Sequence, residues 1–269
     1  MKQEPNYLAG KGLLPVKLGV ARQTVLAGLM LFMASLRAGQ RRALLGYVWL
    51  VTPAIATAVA FSLLRRWKVF EVAETDLPYA LFVLSGVLLW QCFFDAVIAP
   101  VTQLKSQSDF LAFVPVRFEA VLVAAFATVA LNCVIRIAVL IAALILWGEV
   151  PRLEWVTIMA PAMVLVVLFG AALSLLIAPL ALLIEDIASL LNLVGSFGLF
   201  LVPAIYPIPP GSVLALNPLV PMFDAVRAGI SGTPIDLSGS WLSLLLPVML
   251  VVGWWFNVVS RPHIAARNF

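Results

Sequence analysis

Two charged residues, Asp95 and Arg136, stand inside long apolar runs of this 269-residue sequence. A charge is costly to place in hydrocarbon, so ionisable groups in such runs are rare and usually functional. Counting about 1.5 Å per helical residue from the predicted ends of the two runs places these side chains at heights that differ by more than ~15 Å. No ion pair is therefore expected between them. Asp95 is expected near one membrane boundary and Arg136 near the other, where its side chain can extend to the headgroups.

Three polar residues of the later run share one helix face. Thr128, Asn132 and Arg136 follow one another at intervals of four residues, which places them in one row. The row contacts either a neighbouring helix or a substrate. With Asp95 far from Arg136, no proton relay can be built, which argues against a secondary transporter.

The sequence offers few other groups for chemistry. No Gly-x-x-x-x-Gly-Lys-Ser/Thr segment occurs, so an ATP-driven process requires a separate subunit. Cys92 and Cys133 lie in apolar runs and are expected to be buried thiols, and His263 is the one histidine. Neither a metal site nor a catalytic centre is expected from this set, and no basic face indicates nucleic-acid binding.

The elements that position these residues are predicted to be membrane helices. The chain is 63% hydrophobic and 11% charged, against roughly 25% charged residues in soluble domains. A helix needs about 20 apolar residues to cross a bilayer. We therefore predict an all-α integral membrane protein with six spans, at about 45–64, 78–99, 120–146, 156–183, 187–206 and 241–259.

Two regions are predicted to be helical without spanning. In residues 20–40 the uncharged part is short and is flanked by arginines, which favours an amphipathic helix on the cytoplasmic leaflet; a seventh span is the alternative. Residues 205–230 are apolar and rich in proline, and neither half is long enough to cross. Short re-entrant or interfacial helices between spans 5 and 6 are expected there.

The distribution of Lys and Arg predicts the orientation. With the N-terminus inside, the inner segments carry eleven of these residues and the outer segments five. Both termini are therefore expected in the cytoplasm. The cluster Arg65, Arg66 and Lys68 lies on the outer side in this topology and opposes the rule locally.

Aromatic residues are a candidate substrate path, since their faces stack on the apolar C–H faces of sugars. The alternative is that they lie in the core or face lipid. The set is Tyr47, Trp49, Trp90, Phe93, Phe94, Phe197, Phe200 and Tyr206.

Four segments, taken together and in order, resemble a known family. They are Leu45-Gly46-Tyr47-x-Trp49 with Pro53, Leu84-x-Gly86-x-x-x-Trp90, Phe110 to Pro115, and Asn217-Pro218-Leu219 followed by Asp224 and Arg227. Over residues 20 to 260 the chain resembles the ABC-2 permeases, the transmembrane subunits of ABC exporters for O-antigen and capsular polysaccharides.

The resemblance implies one ABC-2 transmembrane domain over residues 1–269 in the bacterial inner membrane. It implies a homodimer with two ATP-binding cassette subunits, which hold Mg-ATP, no cofactor in this chain, and a polysaccharide linked to undecaprenyl diphosphate. The residues expected at the ATPase are Lys105, Asp109, Phe110, Pro115, Arg117, Glu185 and Asp186. The family commonly has Arg-Asp where this chain has Glu185-Asp186.

Three arginines stand at the height of an anionic lipid headgroup: Arg37, Arg41 and Arg42. They are expected either to contact the lipid diphosphate or to anchor the topology. Two other functions are considered, an ABC-2 permease for a lipid or drug and a membrane enzyme for polyprenyl-linked sugars. The enzyme would need a cluster of acidic or histidine residues at one interface, which the sequence lacks.

Overall fold

In the computed structural model, the regular secondary structure of the described residues is all helical. The described residues are 18–40, 46–69, 75, 77–113, 118–184, 186–209, 211–234 and 245–267. The α-helices are α1 (Leu18–Gln40), α2 (Val48–Arg66), α3 (Tyr79–Phe113), α4 (Phe118–Leu146), α5 (Ala160–Leu183), α6 (Asp186–Phe197), α7 (Leu219–Ser231) and α8 (Leu245–Arg267). A π-helical turn, Trp155–Met159, precedes α5, and 3-10 turns occupy Gly198–Leu201 and Val213–Leu216.

The predicted all-helical class is confirmed for the described residues, and the lengths and composition of the helices suggest a membrane protein. Four helical stretches are long and apolar enough to cross a membrane: Val48–Arg66, Tyr79–Ser106, Phe118–Leu146 and Trp155–Leu183. Two further apolar stretches, Asp186–Leu201 and Leu245–Ser260, are shorter. Four of the six predicted spans thus match candidate membrane helices, and the other two stay predictions.

Helix α3 lies at the centre and packs against α2, α4, α5, α6 and α7. Small residues permit the closest approaches. A Cβ atom on Gly170 of α5 would lie 2.5 Å from the carbonyl oxygen of Phe93, so only glycine fits where these two helices cross. Most of the apolar core therefore forms around this one helix.

The outer helices attach to that centre through neighbours. Helix α8 packs against α5, where the buried Asn257 donates hydrogen bonds to the carbonyls of Gly253 and Leu175. Helix α1 packs against α4 at Gly28, where a Cβ atom would collide with Val123. The predicted helix at 20–40 is confirmed as a helix, and its position relative to the membrane stays a prediction.

Two predicted helix ends are wrong. Helix α3 continues beyond residue 99, through Pro100, to Phe113, because the polar segment after Pro100 ends the apolar stretch without containing a strong helix breaker. The fifth segment stops being helical at Leu201 instead of 206. Val202 is extended because it precedes Pro203, which disfavours the helical conformation of the residue before it.

Candidate functional site: two buried arginines that contact the central helix

The charged residues of the two long apolar runs meet directly. Arg136 Nη1 of α4 donates a hydrogen bond to Asp95 Oδ2 of α3 at 2.7 Å. Asn132 Nδ2 donates to the same oxygen at 3.1 Å. The Arg136 side chain is 4% exposed and that of Asp95 25%. The prediction that Asp95 and Arg136 are too far apart to pair is wrong, and Arg136 does not extend toward the headgroups.

The error follows from the misplaced end of α3. Asp95 lies 18 residues before Phe113, where α3 ends, and Arg136 lies 18 residues after Phe118, where α4 begins. Helices α3 and α4 pack against each other across that short connection, so equal distances from it bring the two residues to similar heights. The prediction counted Asp95 from residue 78 in a span that ended at residue 99, which placed it near the inner boundary and separated it from Arg136.

The ion pair lies deep in both apolar stretches. The midpoint of Tyr79–Ser106 falls between residues 92 and 93, which is about 4 Å along the axis from Asp95. Arg136 is about 6 Å from Asn132, the midpoint of Phe118–Leu146. In hydrocarbon each charge needs a partner, so Asp95 and Arg136 stabilise each other's burial.

Other polar contacts follow the same interface. Gln103 Nε2 lies 3.4 Å from Thr128 Oγ1, in a long hydrogen bond. Cys92 and Cys133 lie in one cluster with Ala96 and Val129, and both are buried, as predicted. The row Thr128, Asn132 and Arg136 therefore faces α3, and the interhelical alternative is the one that the structure shows.

A second buried arginine holds α7 against the start of α3. The Arg227 guanidinium carbon lies 3.6 Å from the centroid of the Phe82 ring, and Nη2 donates to the Phe82 carbonyl oxygen at 3.2 Å. The carboxylate of Asp224 is 3.7 Å from Nη1 and largely exposed. Burial lowers the pKa of Arg227 to about 10, so the side chain is charged at neutral pH.

The other end of α7 is held by the segment before α5. Trp155 Nε1 donates to the Ile230 carbonyl at 3.4 Å and Arg152 Nη1 donates to the Ser231 carbonyl at 2.6 Å. These are carbonyls of the last turn of α7, where donors and positive charge are favourable. A Cβ on Gly229 would lie 2.6 Å from the Met159 backbone nitrogen. Helix α7 is thus fixed at both ends.

The predicted aromatic set divides into two groups. Trp90 and Phe93 are buried in the core, and Trp90 Nε1 donates to the Gly195 carbonyl at 3.1 Å; the Phe94 ring stacks on Trp90 at 5.9 Å. The exposed members are Tyr47, Trp49, Phe197 and Phe200. Tyr206 is partly buried and donates to the Phe200 carbonyl.

The predicted cationic and coupling residues fall in several places. Arg37 and Asp186 are exposed, Lys105 is half-buried, and Asp109 and Phe110 belong to the last turns of α3. Outside the described residues lie Arg41, Arg42, Pro115, Arg117 and Glu185. Contact with a lipid diphosphate or an ATPase stays a prediction for all of these residues.

Sequence reasoning missed the environment of Arg227 because Phe82 is 145 positions away along the chain. Within the described residues, no group of three or more His, Cys, Asp or Glu side chains is arranged to hold a metal ion. Comparison with protein-family models and with curated proteins gives no match for this chain. The two buried arginines therefore hold neighbouring helices in place against α3. Arg136 does so from α4 and Arg227 from α7.

Proposed function

We propose that this chain is the transmembrane subunit of an ATP-driven exporter that moves undecaprenyl-diphosphate-linked polysaccharide, of O-antigen or capsule type, across the bacterial inner membrane. The observation that carries the proposal is the length of α3. The helix continues for eight residues past Lys105, the first charged residue after Asp95, to Phe113, which is about 12 Å. A charged helix end at the edge of an apolar stretch is a suitable contact for a separate ATPase.

The architecture proposed for the exporter has six spans. These are α2, α3, α4, the stretch Trp155–Leu183, α6 with its 3-10 extension, and α8. Helix α1 lies along the cytoplasmic leaflet, both termini are cytoplasmic, and α7 belongs to the outer side. The stretch Asp186–Leu201 has 16 residues, and a short span of this kind is accommodated by local thinning of the bilayer.

A homodimer follows from the width of the substrate. Six spans are too few to enclose a passage wide enough for a hydrated polysaccharide, so a second copy is needed to complete it. Exposed aromatic residues in or next to α2 and α6 support this arrangement because few residues of these two helices are buried in the single chain: Tyr47, Trp49, Phe197 and Phe200. In the dimer they would offer stacking faces to the sugar chain, while Trp90 and Phe93 support them from the core.

The energy source is Mg-ATP bound to two partner subunits. The last turns of α3 and the connection after them would contact the ATPase with Lys105, Asp109, Phe110, Pro115 and Arg117, and the turn before α6 would contact it with Glu185 and Asp186. Arg37, Arg41 and Arg42 would meet the diphosphate of the lipid carrier, since cationic side chains next to the membrane attract anionic headgroups.

Deletion in the host tests the assignment first. We expect loss of surface polysaccharide and accumulation of the lipid-linked glycan, both reversed by the wild-type gene.

An ATPase should co-purify with the tagged chain, and Asp109→Asn with Arg117→Gln should weaken that association. Val134→Ala, on the exposed face of α4, serves as the matched control. Normal surface polysaccharide together with an altered lipid or drug phenotype would replace the proposal with the corresponding ABC-2 permease.

Exposed aromatic residues give a second test. We expect Phe197→Ala with Phe200→Ala to lower surface polysaccharide about tenfold, a loss of about 1.4 kcal/mol, while the complex still assembles. Trp254 and Trp255 of α8 are the controls, since Phe197 and Trp255 are similarly exposed, at 62% and 60%. Equal losses from the α6 and α8 variants would contradict a stacking path on α6.

A further inference from the structure

Helix α3 contacts both of the places that an ATP-driven cycle would have to connect. Its last turns lead into the connection to α4, and near its start Phe82 contacts Arg227 of α7. Phe82 and Phe113 are 31 residues apart in one helix, which is about 47 Å. A displacement at one end of α3 reaches the other end only if the helix moves as a unit with its neighbours.

Polar contacts join α3 and α4 at two levels. They are the group of Asp95, Asn132 and Arg136, and the contact of Gln103 with Thr128. The buried Cys92 and Cys133 lie in one cluster beside the first of them. Apolar helix faces in a membrane slide past each other at low cost, because lipid is as apolar as the side chains. A charged pair has one acceptable register, since sliding by one turn, about 5.4 Å, would leave both charges without a partner.

We propose that Asp95 and Arg136, with Asn132, form a register lock that makes the α3–α4 hairpin a single rigid lever between the end of α3 and the contact with α7. The movement that enters at the end of α3 rests on the proposed function, in which an ATPase binds there. Asp95 and Arg136 are positioning residues in this account.

Movement of the hairpin would reach α7 through the contact between Phe82 and Arg227. Phe82 lies 13 residues before Asp95 on the same helix, and it holds the Arg227 guanidinium both by its ring and by its carbonyl oxygen. At Gly86, one turn further along, α3 also meets the backbone of Ala204 so closely that no Cβ would fit. Because both contacts are short and direct, a shift of α3 changes the position of α7 and of the segment after α6.

The two native cysteines report on the lock without added labels. Cys92 lies three residues before Asp95, Cys133 lies three residues before Arg136, and they are the two cysteines of the chain. Copper–phenanthroline with dissolved oxygen oxidises two adjacent thiols to a disulfide, and oxygen accepts the two electrons while two protons are released. The rate is measured as the loss of thiols available to an alkylating mass tag after denaturation, and it depends on the register of α3 against α4.

The decisive variant replaces the polar group with apolar residues: Asp95→Leu, Asn132→Leu and Arg136→Met. Buried ion pairs replaced by apolar residues of similar volume often keep their stability, so this triple variant is expected to accumulate. We expect its disulfide to form about fivefold more slowly than in the wild type and export to fall about tenfold, while ATP turnover of the complex is retained. The swapped pair Asp95→Arg with Arg136→Asp should restore most of the wild-type disulfide rate and most of the export. Val134→Ala should match the wild type in both measurements.

Each other result counts against the proposal. A wild-type disulfide rate in the triple variant would contradict the register lock. A slow rate with normal export would contradict the proposal that the hairpin transmits movement to α7. Loss of ATP turnover together with export points to failed assembly of the complex in place of a broken lever. If no ATPase co-purifies with the wild type, the proposed function fails and transmission fails with it, while the disulfide rates still decide the register lock.

Discussion

The two buried arginines of this chain are neutralised in different ways. Arg136 lies between two long apolar helices and meets a carboxylate at 2.7 Å. Arg227 lies on a short helix and meets an aromatic face and a backbone carbonyl, with the carboxylate of Asp224 at 3.7 Å. Both side chains are less than a tenth exposed. Burial of Arg136 is therefore offset by a close negative charge. Burial of Arg227 is offset mostly by an aromatic ring and a backbone carbonyl dipole.

The difference follows from where each arginine lies. Near the middle of an apolar span no water or headgroup is within reach, so only an opposite charge offsets the desolvation of the guanidinium. At α7, Nε and Nη1 of Arg227 have no hydrogen-bond partner among the described residues, a cost that is tolerable when the ring supplies a cation–π contact. Removing the carboxylate of Asp95 should therefore destabilise the site of Arg136, and removing the ring of Phe82 should destabilise the site of Arg227.

Asp95→Asn should have the largest effect. It keeps the size of the side chain but leaves Arg136 charged and without a counter-charge, because an arginine does not give up its proton in a protein. We expect a loss of about 3–5 kcal/mol, or roughly 10 °C in the unfolding temperature of the solubilised protein. Glu149→Gln is the matched control, since the Glu149 side chain is 26% exposed and its ion pair with Arg152 spans 3.9 Å. Equally small losses of stability from both variants would show that the burial of Arg136 does not depend on the negative charge of Asp95.

The sequence predicted the helices better than it predicted what lies between them. Apolar length alone located α2, the start of α3, α4 and α5 to within a few residues. Pro100 and the polar residues after it suggested an end to α3, yet polarity ends a span without ending a helix, so the hairpin was predicted too short. With the correct end, the equal spacing of Asp95 and Arg136 from the connection would have predicted the ion pair from sequence.

The environment of Arg227 could not be predicted in that way. Its partner Phe82 is far away in the chain, and no periodicity connects the two residues. The contact exists because α7 folds back onto the start of α3, with its far end held by Arg152 and Trp155. The resemblance to a permease family drew attention to Asp224 and Arg227 as a motif, but not to the aromatic ring that carries the contact.

Phe82→Leu should have an intermediate effect that depends on Arg227. In the wild-type background the change removes the cation–π contact as well as packing, whereas in an Arg227→Met background it removes packing only. We expect the two costs to differ by about 1 kcal/mol. Phe169→Leu is the control, because Phe169 and Phe82 are equally buried and Phe169 stacks on a neutral ring. Equal costs for Phe82→Leu in both backgrounds would remove the ring from the account of how Arg227 is stabilised.

Asp224→Asn should have the smallest effect, although it removes the same kind of charge as Asp95→Asn. The Asp224 side chain is 60% exposed, so solvent screens its attraction for Arg227, and exposed pairs contribute about 0–1 kcal/mol. We expect less than about 0.5 kcal/mol, and a further decrease at high salt. A loss as large as that of Asp95→Asn would mean that Asp224 is the true counter-charge of Arg227. Both arginines would then obey one rule, and the distinction between the span and the short helix would disappear.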